Sequence, residues 1–276
     1  MKVTQYRDSG SFCDKVLPFL LQHEAENNLM IGILLSLADG TGKWKDEPVL
    51  FVVEDDGLVV AVAVRTPPHN LLLTQAEESP LDILVTEMNS QGIGVPGILG
   101  PVSAVEHFAK RWSAIADCDI EPERNMRIYQ LHQVFAPPHV PGSARFEDSE
   151  DAGRILRWQQ SFNQECGLHH GLSEEKMIKA IRDQHVLMWQ DDYPVSMAFT
   201  SGSTPNGIRV SGVYTPPGHR GKGYASANVA ALSQHCLDEG RQFCCLFTDL
   251  ANPTSNSIYQ RIGYYPVSDF VSCRFL

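Results

Sequence analysis

No stretch of this sequence is long and apolar enough to read as a membrane span. The longest apolar run, Leu29 to Leu35, falls far short of the roughly 20 residues a bilayer-crossing helix needs. The first eight residues, Met1-Lys2-Val3-Thr4-Gln5-Tyr6-Arg7-Asp8, hold no apolar core of the kind a secretory leader carries. A cytoplasmic protein with no membrane partner is therefore expected. Basic side chains are also scarce: 22 Lys and Arg against 33 Asp and Glu leave a formal charge of −11. That balance argues against nucleic acid, since gripping a phosphate backbone takes clustered positive charge. Cysteine is present but unorganised. The seven positions, 13, 118, 166, 236, 244, 245 and 273, are odd in number and include no C-x-x-C pair, so reduced core thiols are expected, with neither staples nor a metal. His169 and His170 are adjacent rather than spaced as helix ligands, which again points to no metal.

What the chain does have is a hydrophobic fraction of 43% over 276 residues, enough for two domains with a core each. The pattern predicts two helices over Phe12 to Leu37, then a hairpin of Val49–Val53 and Leu58–Val64 across Asp55-Asp56-Gly57, buried on both faces. Helices are expected over Leu81–Ser90 and Val102–Ala116, with Gly92–Pro101 a loop or short strand between them, and a strand over Met126–Phe135. Ala136-Pro137-Pro138-His139-Val140-Pro141-Gly142 reads as a linker, which sets domains at 1–138 and 145–276. The second half repeats the plan of the first. Helices at Ile155–Cys166 and Glu174–Arg182, the latter after the cap-like Ser173, precede a hairpin of Val186–Trp189 and Val195–Phe199. Val49-Leu50-Phe51-Val52-Val53-Glu54-Asp55-Asp56 and Val186-Leu187-Met188-Trp189-Gln190-Asp191-Asp192 share one strand-into-acidic-turn form about 137 residues apart, which suggests two copies of one unit.

The most informative stretch begins where Ile208, Val210, Gly212 and Tyr214 alternate as in a strand. It passes through Pro216-Pro217-Gly218-His219-Arg220-Gly221-Lys222-Gly223 and enters a helix with an Ala225, Val229, Leu232, Cys236 stripe that stops at Gly240. A glycine-rich turn at a helix N-terminus offers unpartnered N–H groups and a positive dipole end, which together hold an anion. Arg220 and Lys222 add charge suited to a pyrophosphate. The spacing is not a P-loop, because Gly223 follows Lys222 where Ser or Thr is required. It is not the dinucleotide fingerprint either, because Ser226 stands where the third glycine should be.

Arg220-x-x-Gly223-x-Ala225 resembles the acetyl-coenzyme A loop of the GNAT superfamily of N-acetyltransferases. The segment Asn252-x-x-x-x-x-Ile258-Tyr259-x-x-x-Gly263-Tyr264, after an apolar strand Phe243–Phe247, is similar to that family's second motif. The resemblance implies an α/β fold, a mostly antiparallel mixed sheet flanked by helices, present here as two GNAT-like units. Only the second copy carries the loop; the first hairpin leads instead to Arg65-Thr66-Pro67-Pro68-His69-Asn70-Leu71, so the N-terminal copy is expected to be degenerate.

The resemblance further implies acetyl transfer from acetyl-CoA to an amine acceptor, a small molecule or a peptide. Amides near Val213 and Tyr214 would hold the pantetheine and polarise the thioester, at a bulge that Gly212 suits. Arg220, Gly221, Lys222, Gly223, Tyr224 and Ala225 would receive the diphosphate, and Asn252, Ser255 and Asn256 the cofactor arm. Tyr259 would protonate the departing thiolate. For the base, Glu165, His169, His170 and Asp249 all stay open, because the strand 208–215 holds no acidic residue. A coenzyme A-binding regulatory protein without turnover is the alternative function.

Overall fold

The computed structural model describes residues 1–41, 46–148, 150–168, 174–183 and 185–276. Ser173, His169 and His170 lie outside the described residues. In chain order the elements are β1 (Lys2–Tyr6), α1 (Ser9–Leu20), α2 (Asn28–Ala38), β2 (Val49–Asp55), β3 (Leu58–Arg65), β4 (Leu71–Leu73), α3 (Glu78–Ser90), β5 (Gly97–Pro101), α4 (Val102–Ala116) and β6 (Ile120–Leu131). They continue as β7 (Ser143–Phe146), α5 (Ala152–Glu165), α6 (Glu174–Arg182), β8 (Val186–Asp191), β9 (Tyr193–Ser201), β10 (Gly207–Tyr214), α7 (Tyr224–Asp238), β11 (Phe243–Asp249), α8 (Pro253–Arg261) and β12 (Tyr265–Phe275). The order β-α-α-β-β-β-α-β-α-β thus occurs twice. No helix among the described residues is long and apolar enough to cross a membrane.

Two compact units result, and neither is one contiguous segment. The first comprises Met1–Ile128, Thr248–Asn252 and Val267–Leu276; the second comprises Tyr129–Phe247 and Pro253–Pro266. In the first unit the strand order is β1-β2-β3-β4-β5-β12. β4 and β5 pair in parallel, and β12 joins antiparallel to β5 with Phe270 opposite Pro101. Successive side chains of β2 point to opposite faces, and both faces are covered. Leu50 and Val52 meet Phe12, Val16, Leu20, Ile31 and Leu34 from α1 and α2, while Phe51 and Val53 share a cluster with Leu84, Phe108 and Trp112 from α3 and α4. This is why the strand reads as a continuous apolar run rather than an alternation. Helix α1 starts at Asp8, whose carboxylate accepts a 2.6 Å bond from the Ser11 amide and satisfies one of the unpaired donors of the first turn.

The second unit has the order β11-β10-β9-β8-β7, antiparallel except for the parallel β10–β11 pair. Helices α5 and α6 cover one face through Ile155 and Met177 against Val186, Met188, Met197, Phe199 and Tyr214. Helix α7 covers the other with Val229, Leu232 and Cys236 against Ile208, Val210, Cys244 and Leu246, joined there by Tyr259, Ile262 and Tyr264.

Strands β1, β4 and β7 do not figure among the sequence expectations, and β6 begins at Ile120 and ends at Leu131 rather than running from Met126 to Phe135. Strands of three to five residues carry too few positions for a period-2 pattern to stand out. All seven cysteines are free thiols. Five are buried, but Cys118 is half-buried and Cys166 exposed, so the expectation of core thiols fails at those two.

One buried group is poorly matched to its surroundings. Glu147 follows β7 at 6% exposure, and neither carboxylate oxygen has a hydrogen-bond partner. Its neighbour Arg145 is committed to Asp151 at 2.5 and 3.1 Å, with Asp148 near the same guanidinium at 3.7 Å. Burial pushes the Glu147 carboxyl up to about 7, so the folded state holds a proton that the unfolded chain releases near its ordinary value. Stability is then fully present below the unfolded value and lost as pH rises through about 7. We expect wild-type unfolding free energy to fall between about pH 5 and about pH 7, with a slope approaching about 1.4 kcal/mol per pH unit. Glu147→Gln should flatten that slope in urea unfolding curves; an unchanged slope would show that another group causes it.

Candidate functional site

The site grows from a break in strand regularity. Along β10 and β9, Ser211 lies opposite Phe199, but Tyr214 lies opposite Met197, so the intervening stretch of β10 holds one residue more than β9 does. Gly212 takes φ +55 at this bulge, and a Cβ built on it would fall 1.7 Å from Cε1 of Phe199. Only glycine meets both demands. On the other side of β10, parallel pairing with β11 runs from Gly207 opposite Phe243 to Arg209 opposite Cys245 and goes no further. The two strands part beyond that point and leave backbone of β10 without a β11 partner.

After β10 the chain forms a 3-10 turn, Pro217–His219, closed by His219 N–H to Pro216 O at 2.9 Å and Arg220 N–H to Pro217 O at 3.3 Å. Gly221 and Gly223 follow at φ +77 and φ +87, and α7 starts at Tyr224. The first helical bond is Ala227 N–H to Gly223 O at 3.0 Å, and Gly223 has no side chain with which to cap the helix. Among the described residues no acceptor engages the amides of residues 221 to 226. They stand at the positive end of a 15-residue helix, with Lys222 exposed beside them. Val140, from the proline-rich segment before β7, closes one side: its Cγ1 would lie 2.8 Å from a Cβ on Gly223.

The side chains around this nest are committed elsewhere. The Tyr224 phenol donates a short hydrogen bond to Asp191 Oδ2 at the end of β8; that bond, with burial adding to it, raises the phenol above its ordinary value. Arg220 gives Nε to Thr215 O at 2.8 Å and Nη2 to Glu165 Oε2 at 2.7 Å, with its guanidinium 5.7 Å from the Tyr214 ring centroid. The Tyr214 hydroxyl donates to the other oxygen of Glu165 at 3.1 Å. Asp191 and Glu165 carry no local motif that would mark these roles; both become legible only when β8 and α5 are placed beside the turn.

In α8, Tyr259 is 8% exposed, with its ring 6.5 Å from Tyr129 and 6.0 Å from Tyr264. Burial pushes its phenol up to about 12, against a hydrogen bond with the Ser255 hydroxyl that pulls the other way. The phenol therefore stays protonated at all physiological pH. Asn256 Oδ1 accepts from the buried Tyr129 hydroxyl at 3.1 Å, so its side chain serves the core of the unit. Asn252, whose amide donates to Asp249 O at 3.0 Å, stands just before α8. Of the four base candidates, Asp249 Oδ1 accepts the Ala251 amide at 2.7 Å in the turn after β11, and Glu165 is shared by Tyr214 and Arg220. His169 and His170 lie outside the described residues. A concavity of about 360 Å³ opens at the other end of α7, lined by Phe146, His185, Leu232, His235 and Arg241 among others. None of the residues named above for the nest or for Tyr259 lines it.

The same place in the first unit is built differently. Strand β4 is followed by Thr74-Gln75-Ala76-Glu77, with no glycine, and Thr74 Oγ1 accepts the Val62 amide at 3.0 Å. Glu77 and Glu78 stand at the start of α3, where carboxylates take the favourable position at the dipole and repel a phosphate.

The element order that occurs twice gives this chain a GNAT fold in two units, and the bulged strand, the parted neighbour and the glycine nest lie in the second. The FR47-like protein family matches residues 198–274. Among solved structures, the chain is similar to a GCN5-related N-acetyltransferase from Sphaerobacter thermophilus, at 14% identity and TM-score 0.64 over 99% of this chain and 95% of that one. It is similar to a GNAT-family acetyltransferase from Colwellia psychrerythraea at 13% identity and TM-score 0.60, with 100% of both chains covered. A tandem GNAT protein from the clavulanic acid biosynthesis pathway is 11% identical with TM-score 0.55, over 99% and 98% of the two chains. A search of curated proteins by sequence returns no match. Identities this low speak to the fold alone.

The bulge itself is testable. Gly212→Ala places a methyl against Phe199 in a backbone conformation that costs about 1–3 kcal/mol for a non-glycine residue. It should lower the urea midpoint clearly; an unchanged midpoint would mean that the bulge relaxes at no cost.

Proposed function

We propose that the second unit binds acetyl-CoA and transfers its acetyl group to an amine acceptor by direct attack in a ternary complex. The observation that carries the reading is the row of unengaged amides at residues 221 to 226 beside a strand that has parted from its neighbour. The diphosphate sits on the amides of Gly221, Lys222, Gly223, Tyr224 and Ala225, with Lys222 adding charge at the rim. The pantetheine arm runs along the bared edge of β10 toward Val213 and Tyr214, whose amides bind the thioester carbonyl and take up negative charge as the tetrahedral intermediate forms. Ser255 flanks the arm from the start of α8.

The amine nitrogen attacks the carbonyl carbon, the carbon–sulfur bond breaks, the thiolate takes a proton from Tyr259, and the proton lost by the nitrogen as the amide forms passes through solvent to restore the Tyr259 phenol. A phenol at about 12 is a weak acid, so in this role it donates a hydrogen bond first and yields its proton only to a thiolate that the closed site has desolvated. The acceptor is a small molecule or the amino end of a peptide, and the protein is placed in the cytoplasm. One observation favours a second reading, a coenzyme A-binding regulatory protein: Glu165 and Asp249 are each already engaged by other groups of the chain.

A thiol-release screen of acetyl-CoA against a panel of amines separates the two readings, since a regulator binds without releasing thiol. Tyr259→Phe should lower turnover at least about tenfold while leaving cofactor affinity nearly unchanged, the mark of an interaction made in the transition state. The phenol remains protonated to about 12, so Tyr259 should produce no loss of turnover between about pH 8 and about pH 10. Equal turnover in the variant would remove the acid assignment. Gly223→Glu sets charge and bulk into the nest against Val140 and should abolish calorimetric binding of acetyl-CoA; retained affinity would refute the loop as the binding site.

A further inference from the structure

The arginine of the loop motif does not face the nest. Its guanidinium reaches Glu165, at the end of α5, and lies over the ring of Tyr214, a residue of the core shared with α5 and α6, whereas α7 packs on the other face of the sheet. Two of its three nitrogens are committed within the chain, to Thr215 O and to Glu165.

What this arrangement holds is Tyr214. The ring packs on Trp158 with centroids 6.2 Å apart and carries the Arg220 cation at 5.7 Å, and the hydroxyl is anchored on Glu165 at 3.1 Å. Its carbonyl accepts from Ser196 Oγ at 3.2 Å, and Ser196 Oγ accepts from Thr215 Oγ1 at 2.9 Å. Such anchoring has a physical purpose here. Beyond Arg209 the strand has lost its β11 partner, and the bulge at Gly212 interrupts the ladder with β9, so this backbone has less restraint than an ordinary central strand. Side-chain anchoring of Tyr214 replaces the missing restraint.

We propose that Glu165 is a positioning residue for acyl transfer: through Arg220 and Tyr214 it fixes the backbone amides after the bulge in the orientation that polarises the acyl carbonyl. The inference rests on the acetyl-CoA reading above. It gives Arg220 the work of a brace, while the diphosphate is held by backbone amides and Lys222. The pair is nearly half exposed on both partners, at 47% and 44%, so it adds little to stability and its removal should leave the fold intact.

The test needs no acceptor. Acetyl-CoA labelled with carbon-13 at the carbonyl is bound at saturation, and the carbonyl stretch is read by isotope-edited infrared spectroscopy, with affinity measured by calorimetry on the same samples. Wild-type protein should move the band to lower frequency than in water. Glu165→Ala and Arg220→Met should each lose most of that displacement while affinity stays within about twofold, and the double variant should be no worse than either single one, as expected of groups acting as a unit. Thermal unfolding midpoints confirm that the variants fold. A wild-type displacement retained in Glu165→Ala overturns the proposal. An affinity loss above about tenfold in Arg220→Met with the displacement intact also overturns it, because Arg220 would then be a phosphate ligand. Failure of the wild-type protein to bind acetyl-CoA removes the acyl-transfer reading itself, and this inference with it.

Discussion

A helix must begin somewhere, and its first amides must bond to something. In most proteins a Ser, Thr, Asp or Asn side chain supplies part of that need. At the start of α7 the position is held by Gly223, which has nothing to give, and among the described residues the Gly221 amide has no acceptor either. The rest of the second unit is arranged so that this deficit persists. Proline residues hold the approach, the Tyr224 side chain is tied back to Asp191, and Arg220 is drawn across to Glu165 instead of folding over the amides. The cost of the unfilled donors is bounded at residues 221 to 223, which are exposed and where water can serve them.

The two copies show the same constraint resolved in opposite ways. In the first unit Glu77 and Glu78 bring negative charge to the start of α3, which repels a phosphate, and Thr74 is bonded to Val62 of β3. In the second unit the helix start stays open. One architecture therefore yields one copy with an acidic, glycine-free helix start and one whose helix start is a glycine turn with no side-chain cap. The FR47-like match at residues 198–274 falls on the second pattern, across the bulge, the nest and Tyr259.

Much of this was legible in the sequence, for identifiable reasons. Gly221, Gly223 and the strand and helix around them form one continuous stretch, Gly207 to Asp238, so their geometry follows from local dihedral preferences and periodicity. The doubling of the plan was visible because both hairpins keep an acidic turn after an apolar strand. What stayed hidden depended on distance along the chain. Glu165 meets Arg220 across 55 residues and Asp191 meets Tyr224 across 33, and neither pairing has a spacing rule that would announce it. The loop arginine read naturally as a phosphate ligand, since its charge and place suit one, and only the end of α5 shows a second partner. Tyr259 was identifiable by its position in α8, but the burial that keeps it protonated comes from Tyr129, Tyr264 and the surrounding apolar cluster, which no local pattern encodes.

The account stands on the anion-binding capacity of backbone at one helix start. The most direct measurement is amide nuclear magnetic resonance of nitrogen-15-labelled protein titrated with coenzyme A. The account predicts that the resonances of residues 221 to 226 move most, saturating together at one affinity. If those amides stay in place while coenzyme A shifts a different set, the nest is not where the cofactor binds and the central claim is contradicted.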